Sequence, residues 1–413
     1  MEKKIIYLDN AATTKPYPQV VDAMLPYLTN EFGNPGARYE LGRKAREAVN
    51  KARKQVANLI NADPEQIIFT SSGSEANNMV YKIIEDPKEK TMPVTICSAV
   101  EHPSIYNVLN ARGNNDGSGW VLPVTSQGIV EKRYLKEAIE MVGATTSEIP
   151  IVSIMYVNNE LGSVNDLEMI ARVCKQNGCL FHTDCTQAVT CKPIDVKKIG
   201  CDFATISAHK IHGPKGIGAL YVRDKSLLGL SLYDKKLYLV NGGENQEFGI
   251  RAGTENVPGI VGFGMAAELY KESFEERMRS VKILSDCFLG ILREELGDGF
   301  RLNCPDTNDH HKILSLTFFG VDSETLLLAL DQEGICVSAG SACSNHESEP
   351  SHVLKAIGMV RDDMFNTIRV SFSGDESIED VRVAAMKIAE NVKFLKRISY
   401  KVKSIMSKKE TEN

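Results

Sequence analysis

The sequence has 413 residues, of which 43% are hydrophobic and 25% are charged, and its formal net charge is −6. These values are ordinary for a soluble globular protein of two or three domains, and they exclude a disordered or fibrous chain. The negative balance also argues against broad nucleic-acid binding. The first nine residues contain too short an apolar run for a signal peptide, and no later stretch is long enough to span a bilayer. We therefore expect a cytoplasmic protein.

Ten cysteines are spread through the chain, and none of them forms a CxxC pair. Five of them, between Cys174 and Cys201, lie near His182, which raises the alternative of a metal site. Their spacing matches no standard set of metal ligands, and on a helix followed by a strand they would point in different directions. We therefore expect reduced, buried cysteines and no metal.

From about residue 71 to residue 222, short apolar runs alternate with amphipathic stretches. The amphipathic stretches predict helices, and strands that alternate with helices form mostly parallel sheets. The sequence therefore predicts a large α/β domain. Its predicted strands lie at 94–98, 151–157, 180–182, 203–207 and 219–222.

Polar residues directly follow four of these predicted strands, in segments 100–104, 157–160, 182–187 and 207–210. In open α/β sheets the ligand binds beyond the carboxyl ends of the strands. The four segments therefore predict one site that is built from several loops.

A second, smaller domain is predicted after the large one. A helical pattern at 260–295 leads to predicted strands at 313–318, 335–337 and 367–372, and then to an amphipathic helix at 377–397. We assign residues 15–259 to the large domain. The smaller α/β domain takes residues 1–14 and 260–413.

The segment 69–78, FTSSGSEANN, is a turn of small residues that opens a predicted helix. Gly73 and Ser74 lie in this turn, where backbone amides, hydroxyl groups and the positive end of a helix dipole would suit a phosphate. An ordinary helix N-cap is the alternative interpretation.

The segment 202–216, DFATISAHKIHGPKG, brings a lysine to the end of a predicted strand. Ser207, His209 and Lys210 stand at its carboxyl end, and the glycines that follow allow a tight loop. A partly desolvated lysine amine is a competent group for a Schiff base with an aldehyde. Taken alone, a solvated surface charge is the commoner role of a lysine.

This lysine segment resembles a known signature. Ser-x-His-Lys followed by Gly-Pro-x-Gly is similar to the cofactor-lysine motif of the class V aminotransferase family, which comprises fold type I enzymes dependent on pyridoxal 5′-phosphate (PLP). Further segments resemble the same family in the same order along the chain. They are residues 7–14, Glu101-His102, 158–160, Asp184-x-x-Gln187 and 251–254.

The resemblance implies a fold type I transferase, with a large domain around a mostly parallel sheet of the seven-stranded type and a smaller C-terminal α/β domain. It also implies that Lys210 binds PLP covalently and acts in catalysis. Asp184 would pair with the pyridinium nitrogen, His102 would stack on the ring and shuttle protons, and Gln187 would bind the phenolic oxygen.

The same resemblance implies a phosphate site and a homodimer. Thr254 would reach the phosphate from a second subunit. Asn159 is expected to contact both the cofactor and the substrate. The remaining phosphate ligands would be Gly73, Ser74, Ser207 and His209.

Cys343 distinguishes groups within the family. It lies in ICVSAGSACS at 335–344, a run of small residues that favours an exposed position over a packed one. Taken alone, a lone cysteine is more often an inert core residue. The run resembles the loop of group I cysteine desulfurases, and residues 349–358 fit that group as well.

Arg369 is the candidate ligand for a substrate carboxylate. Ile368, Val370 and Phe372 alternate on one face of a predicted strand, so Arg369 points to the other face. Its guanidinium fork suits a carboxylate, which it can bind through two parallel hydrogen bonds. A salt bridge at the rim of the site is the alternative.

The resemblance implies a cysteine desulfurase that converts L-cysteine to L-alanine and carries the sulfur as a persulfide on Cys343. A sulfur-acceptor protein would then use it for iron–sulfur cluster assembly or tRNA thiolation. The chain after Ser377 shows little likeness to the docking segment of well-known members, so the acceptor stays open. Another class V enzyme, either an aminotransferase or a selenocysteine lyase, is the alternative, and a scaffold without catalysis is a third.

Overall fold

Short, buried strands form the two main sheets of the molecule. The computed structural model describes residues 4–84, 94–110, 119–145, 149–224, 246–339 and 350–411. Most strands of the larger sheet are continuous apolar runs, because helices cover both of its faces. The strands are β1 (Ile6–Tyr7), β2 (Ile67–Thr70), β3 (Thr95–Ser98), β4 (Gly119–Leu122), β5 (Ile151–Ser153), β6 (Leu180–Asp184), β7 (Phe203–Ser207), β8 (Gly218–Val222), β9 (Phe300–Leu302), β10 (Ile313–Phe318), β11 (Ile335–Cys336), β12 (Ser338–Ala339) and β13 (Thr367–Ser371).

Several helices begin where a polar side chain binds one of their first backbone N–H groups. Asp166, Asn256 and Asp322 each accept a hydrogen bond from the N–H three residues further on, as N-cap residues do. The helices are α1 (Pro18–Leu28), α2 (Glu40–Leu59), α3 (Gly73–Ile84), α4 (Pro103–Asn110), α5 (Lys132–Thr145), α6 (Leu167–Gln176), α7 (Val196–Ile199), α8 (Val257–Leu296), α9 (Ser323–Gln332), α10 (His352–Ala356), α11 (Arg361–Phe365) and α12 (Ile378–Thr411).

The large sheet has seven strands in the order β2-β8-β7-β6-β5-β3-β4. Strand β8 runs antiparallel to both of its neighbours, and the other pairs are parallel. This confirms the predicted α/β fold with a mostly parallel sheet. Because parallel strands end at the same edge, the segments that follow β3, β5, β6 and β7 meet there.

The large sheet is the middle layer of three. Side chains alternate along each strand, so Ile67 and Phe69 pack on one face of β2 whereas Ile68 packs on the other. The first face is covered by α2, α5, α6 and the first half of α8, and the second by α3 and α4. This packing buries the sheet and leaves its carboxyl edge as the place for a ligand.

The smaller sheet is antiparallel and has the strand order β12-β13-β10-β9. It packs against α9, α12 and the second half of α8 around a separate core that includes Phe288, Leu316 and Phe372. Strand β1 pairs with β11, and Leu8 is buried in the same core. The N-terminal residues therefore pack with the C-terminal part of the chain.

Helix α8 belongs to both cores. Its first half contributes Ile260 and Phe263 to the large core, and its second half contributes Leu284 and Phe288 to the small one. A continuous helix thus fixes the small sheet relative to the large one. The domain boundaries at 14/15 and 259/260 stay a prediction.

Two predicted strands differ from the observed ones for physical reasons. The strand predicted at 151–157 ends at Ser153, because the Met155 N–H bonds to the Glu101 carboxyl group, at 2.9 and 3.1 Å, instead of to a strand. The strand predicted at 335–337 is divided, since β11 pairs with β1 whereas β12 pairs with β13. The predicted strands at 203–207 and 313–318 are confirmed.

Most of the described cysteines are buried and none forms a disulfide, as the sequence predicted. Only Cys287 and Cys336 among them are partly exposed. Within the described ranges, no helix combines the length with the apolar character that crossing a bilayer requires.

A buried ion pair joins α2 to the segment before α8, and it generates a test of stability. Arg53 and Glu247 form two hydrogen bonds of 2.7 and 2.8 Å, and Glu247 also accepts from the Phe69 N–H at 2.8 Å. We expect Arg53→Met to lower the free energy of unfolding by about 3 kcal/mol, because it leaves the buried carboxylate of Glu247 without its ion-pair partner. Urea unfolding followed by the fluorescence of Trp120, the single tryptophan, measures the loss.

The matched control is Lys197→Met, which breaks the Lys197–Asp63 pair at 3.0 Å, where both side chains are more than half exposed. Solvent screens such a pair, so its loss is expected to leave the urea midpoint unchanged. Equal shifts in the two variants would contradict a stabilising role for the buried pair.

Candidate active site

A cavity of about 320 Å³ opens at the carboxyl ends of β6 and β7. The start of α3, the segments after β3 and β5, and Ala11 and Ala12 of the N-terminal segment also line it. One side chain reaches it from β13 of the small sheet. Ten residues predicted from the sequence line this cavity. They are Gly73, Ser74, His102, Asn159, Asp184, Gln187, Ser207, His209, Lys210 and Arg369.

Lys210 lies in a 3₁₀ turn directly after β7. Its Nζ donates hydrogen bonds to the carbonyl oxygens of Ala11 at 2.5 Å and Ala12 at 2.8 Å. The N-terminal segment that supplies these carbonyls is itself held here, since the Thr14 N–H bonds to the His209 carbonyl at 2.9 Å. The lysine amine is therefore fixed at the cavity wall.

Asp184 is the last residue of β6 and is 6% exposed. The Thr186 N–H donates to its Oδ1 and Asn77 Nδ2 donates to its Oδ2, both at 2.8 Å. Gln187 lies one turn further on, where its Nε2 donates to the Ala11 carbonyl at 2.8 Å. Its Oε1 is buried and has no hydrogen-bond partner among the described residues. The cavity thus contains the oriented carboxylate of Asp184 beside the amide of Gln187, whose oxygen is left to accept a hydrogen bond.

His102 precedes α4, and its carbonyl accepts the first N–H groups of that helix. Its Nδ1 lies 3.1 Å from the Ser104 backbone N–H and 2.8 Å from the Ser104 hydroxyl. Burial lowers the pKa of His102 below its ordinary value, and the nearby Lys210 lowers it further, although Asp184 opposes the change. The imidazole is therefore neutral near pH 7.

The turn before α3 forms a cradle with little room for side chains. A Cβ at Gly73 would lie 3.2 Å from Thr186 Oγ1, and a Cβ at Gly218 of β8 would lie 2.7 Å from the backbone of this turn. The N-terminal N–H groups of α3 and the hydroxyl of Ser207 lie at the same wall. Such a cradle suits an anionic group of the size of a phosphate.

Arg369 enters the cavity from β13 and is 4% exposed. Ile368, Val370 and Phe372 pack in the small core, so the predicted alternation of this strand is confirmed. One Nη donates to Asp9 Oδ1 at 2.8 Å. The other Nη bonds to the backbone carbonyl of Asn159 at 2.9 Å, and Nε has no hydrogen-bond partner in the described part of the chain.

Two buried carboxyl groups beside the cavity were not singled out as functional from the sequence. Burial raises the pKa of Glu160 to about 7, although Ser351, which donates to it at 2.6 Å, and Arg369 oppose the change. Burial also raises the pKa of Glu101 to about 8, against hydrogen bonds from Ser98 and from Met155. Their sequence signals were their position in polar segments after strands and their place in two of the segments that resemble the class V family.

Two predicted residues stand apart from this cavity. Thr254 lines a second cavity of about 240 Å³, next to Arg251, whose Nε bonds to Glu75 at 3.0 Å. Its predicted contact with a phosphate requires a second subunit and stays a prediction. Cys343 lies outside the described residues.

Comparisons with known proteins assign the chain to a family. The family model for class-V aminotransferases matches residues 6–383. A cysteine desulfurase IscS of Methanosarcina thermophila is 38% identical over 402 residues, which cover 96% of this chain and 94% of that protein. The chain therefore belongs to the class-V aminotransferase family, whose members use PLP. Within that family, it belongs with the cysteine desulfurases.

Solved structures agree with this assignment. A NifS-like protein superposes with a TM-score of 0.82 at 30% identity, over 95% of this chain and all of that chain. A structure described as SspA in complex with cysteine superposes with a TM-score of 0.72 at 28% identity, over 91% of this chain and all of the other. The predicted fold type I architecture is therefore confirmed.

His209 gives a test of the electrostatics of the site. Its Nδ1 lies 3.1 Å from Thr13 Oγ1, and burial lowers its pKa to about 4, with smaller contributions from Lys210 and Lys215. The unfolded chain binds a proton at this histidine below about pH 6.5, whereas the folded protein does so only near pH 4. Stability from this group is therefore complete above pH 6.5 and is lost as the pH falls towards 4.

We expect His209→Gln, which cannot be protonated, to remove this part of the acid sensitivity. Between pH 8 and pH 5, the unfolding free energy of the wild type should fall by about 2 kcal/mol more than that of the variant. Urea unfolding at the two pH values measures it. A difference that is the same at both values would show that the pKa of His209 is not lowered.

Proposed function

We propose that this protein is a cysteine desulfurase, which takes the sulfur of L-cysteine, releases L-alanine and holds the sulfur on Cys343 as a persulfide. One observation carries the proposal. A single cavity collects a lysine amine, an oriented carboxylate, a neutral histidine and a buried arginine. The likeness to cysteine desulfurases over nearly the whole chain supports the same function.

We propose PLP as the cofactor of this cavity. When bound, PLP supplies an aldehyde for a covalent link with an amine and an electron-withdrawing ring that stabilises negative charge at the α-carbon of an amino acid. The residues present fit such a group. Gln187 Oε1 and Thr186 Oγ1 are buried without hydrogen-bond partners among the described residues, and side chains are kept out of the cradle at Gly73 and Gly218.

Each side chain of the cavity has a role that follows from its chemistry. Asp184 would face the pyridinium nitrogen, His102 the ring and Gln187 the phenolic oxygen. Lys210 would supply the amine of the covalent link. The phosphate would be held by Gly73, Ser74, Ser207 and His209, with Thr254 of a second subunit in a homodimer.

Arg369 would bind the carboxylate of the substrate. Its Nη groups already bond to Asp9 and to the carbonyl of Asn159, which fixes the plane of the guanidinium. Its buried Nε has no hydrogen-bond partner among the described residues, and such a donor gains from an incoming carboxylate. Substrate binding would therefore orient the amino acid between Arg369 and Lys210.

Proton transfer would be divided between Lys210 and His102. With the substrate bound to the cofactor, the amine of Lys210 would be released and could act as the base that takes the α-proton. His102 is neutral near pH 7, so its ring carries one proton that it can share with the substrate. Both groups lie at the wall of the same cavity.

Cys343 would take the sulfur as a thiolate. It attacks the substrate sulfur, a sulfur–sulfur bond forms, and the carbon–sulfur bond breaks with its electron pair left on the carbon, which is then protonated to give alanine. The described residues on both sides of segment 340–349 contact residues of the candidate site. Ser338 before it bonds to Asp9 at 3.0 Å and pairs with Arg369, and Ser351 after it bonds to Glu160.

The partners beyond cysteine follow from the family resemblance. A protein that accepts sulfur, for iron–sulfur clusters or for tRNA thiolation, would remove the persulfide, and the location in the cytoplasm stays a prediction from the sequence. The homodimer is proposed because Thr254 lies outside the cofactor cavity of its own chain.

Alanine production tests the function directly. We expect the PLP-loaded protein, incubated with L-cysteine and a thiol reductant, to release equal amounts of alanine and sulfide. Cys343→Ala should lower sulfide release at least a hundredfold, because the nucleophile is lost. The matched control is Cys336→Ala, which replaces a partly exposed cysteine of β11 and should keep the activity.

Mass spectrometry after hydride reduction reports the cofactor link separately, as a modified peptide that contains Lys210. Lys210→Ala should lose both this modification and all turnover. Amino transfer to a keto acid would instead favour an aminotransferase, and activity with selenocysteine alone would favour a selenocysteine lyase. Unchanged sulfide release by Cys343→Ala would exclude the assigned nucleophile.

Arg369 gives a test that separates substrate binding from fold damage. We expect Arg369→Gln to lower kcat/KM for cysteine about a hundredfold, because a charge-assisted pair with the carboxylate is lost. Cysteamine, which lacks the carboxylate, should react equally slowly with the wild type and the variant. An equal loss for both substrates would show that the variant acts through the structure of the site.

A further inference from the structure

A continuous chain of hydrogen bonds links Asp184 to His102 through two residues that have no role in the proposed chemistry. Asn77 of α3 donates from Nδ2 to Asp184 Oδ2 at 2.8 Å and to Ser104 Oγ at 2.9 Å. Ser104 Oγ lies 2.8 Å from His102 Nδ1. The two ends of this chain, Asp184 and His102, line the candidate cavity.

The Asp184 carboxylate fixes the direction of every hydrogen bond in this series. Both Asp184 oxygens accept hydrogen bonds, so the Asn77 amide must present its NH₂ group to the carboxylate. The second N–H of the same group then points to Ser104 Oγ, which accepts it. The Ser104 hydroxyl proton is left for His102 Nδ1, as the only member of the chain that can take it.

The tautomer of His102 follows from this direction. Its Nδ1 receives the Ser104 hydroxyl and also faces the Ser104 backbone N–H at 3.1 Å, so it cannot carry a proton itself. Burial disfavours the doubly protonated ring. The single ring proton therefore lies on Nε2.

We propose that Asn77 and Ser104 are positioning residues, which transmit the orientation of the Asp184 carboxylate to His102 and hold its ring proton on Nε2. The link to catalysis rests on the proposed function. With the proton on Nε2, His102 faces a substrate in the cavity as a hydrogen-bond donor and not as a base. This relay, which runs from Asp184 through Asn77 and Ser104 to His102, thus determines that the ring presents an N–H group to the substrate.

The tautomer itself is measurable without turnover. In the full-length chain labelled with ¹⁵N-histidine, two-bond ¹H–¹⁵N spectra distinguish a protonated from an unprotonated ring nitrogen. The spectra are recorded with and without PLP, and the His102 signals are those that vanish in His102→Gln. We expect the wild type to show an unprotonated Nδ1 and a protonated Nε2.

Three variants test the relay. Ser104→Ala removes the hydroxyl and leaves Nδ1 only its longer contact with the backbone N–H, so the His102 signals should shift towards the averaged positions of two exchanging tautomers. Ser104→Thr keeps the hydroxyl and should preserve the single tautomer. Asn77→Leu should resemble Ser104→Ala. The matched control is Asn78→Leu, since the Asn78 amide lies on the same helix but bonds to the backbone carbonyls of Ser74 and Ser104 instead of to the Asp184 carboxylate.

Kinetics adds a second readout. We expect Ser104→Ala to lower kcat about tenfold with KM unchanged within about twofold, and Ser104→Thr to restore kcat, because general acid–base catalysis weakens when the catalytic proton is misplaced. A single Nε2-protonated tautomer in Ser104→Ala and in Asn77→Leu would overturn the relay. If instead the wild type makes no alanine, the proposed function fails, while the NMR spectra still decide the relay.

Discussion

Parallel pairing of β3, β5, β6 and β7 is the constraint on which the candidate site depends. Strands that run in one direction end at one edge of the sheet, so polar residues more than a hundred positions apart along the chain become neighbours there. His102 and Lys210 reach the same cavity in this way. The apolar strands themselves supply no chemistry, but their burial between two helical layers fixes the edge.

A second sheet has to reach the same edge, and two features bring it there. Helix α8 is shared by both cores, which sets the position of the small sheet. The N-terminal segment then crosses the gap: Asp9 pairs with Arg369 of the small sheet at 2.8 Å, and Ala11 accepts from Lys210 of the large one. Arg369, the proposed substrate ligand, and Lys210, the proposed cofactor lysine, are therefore connected through a few residues near the start of the chain.

Burial sets the protonation states of the cavity. It lowers the pKa of His102 and His209, so both are neutral near pH 7, and it raises the pKa of Glu160 to about 7. Fixed hydrogen bonds then decide where each remaining proton lies. The result is a site whose acceptors and donors are oriented in advance, which is the usual requirement for electrostatic stabilisation of a transition state.

The sequence by itself determined the α/β fold, the strands at 203–207 and 313–318, and ten of the residues that line the cavity. The fold and the strands follow from alternating apolar runs, which are local patterns, and the ten residues follow from several short motifs that resemble the class V family. Only the tertiary structure decided which side chains orient these groups. Asn77, Ser104, Asp9 and the raised pKa of Glu160 depend on contacts between residues far apart in the chain, and neither distance nor burial can be deduced from local spacing.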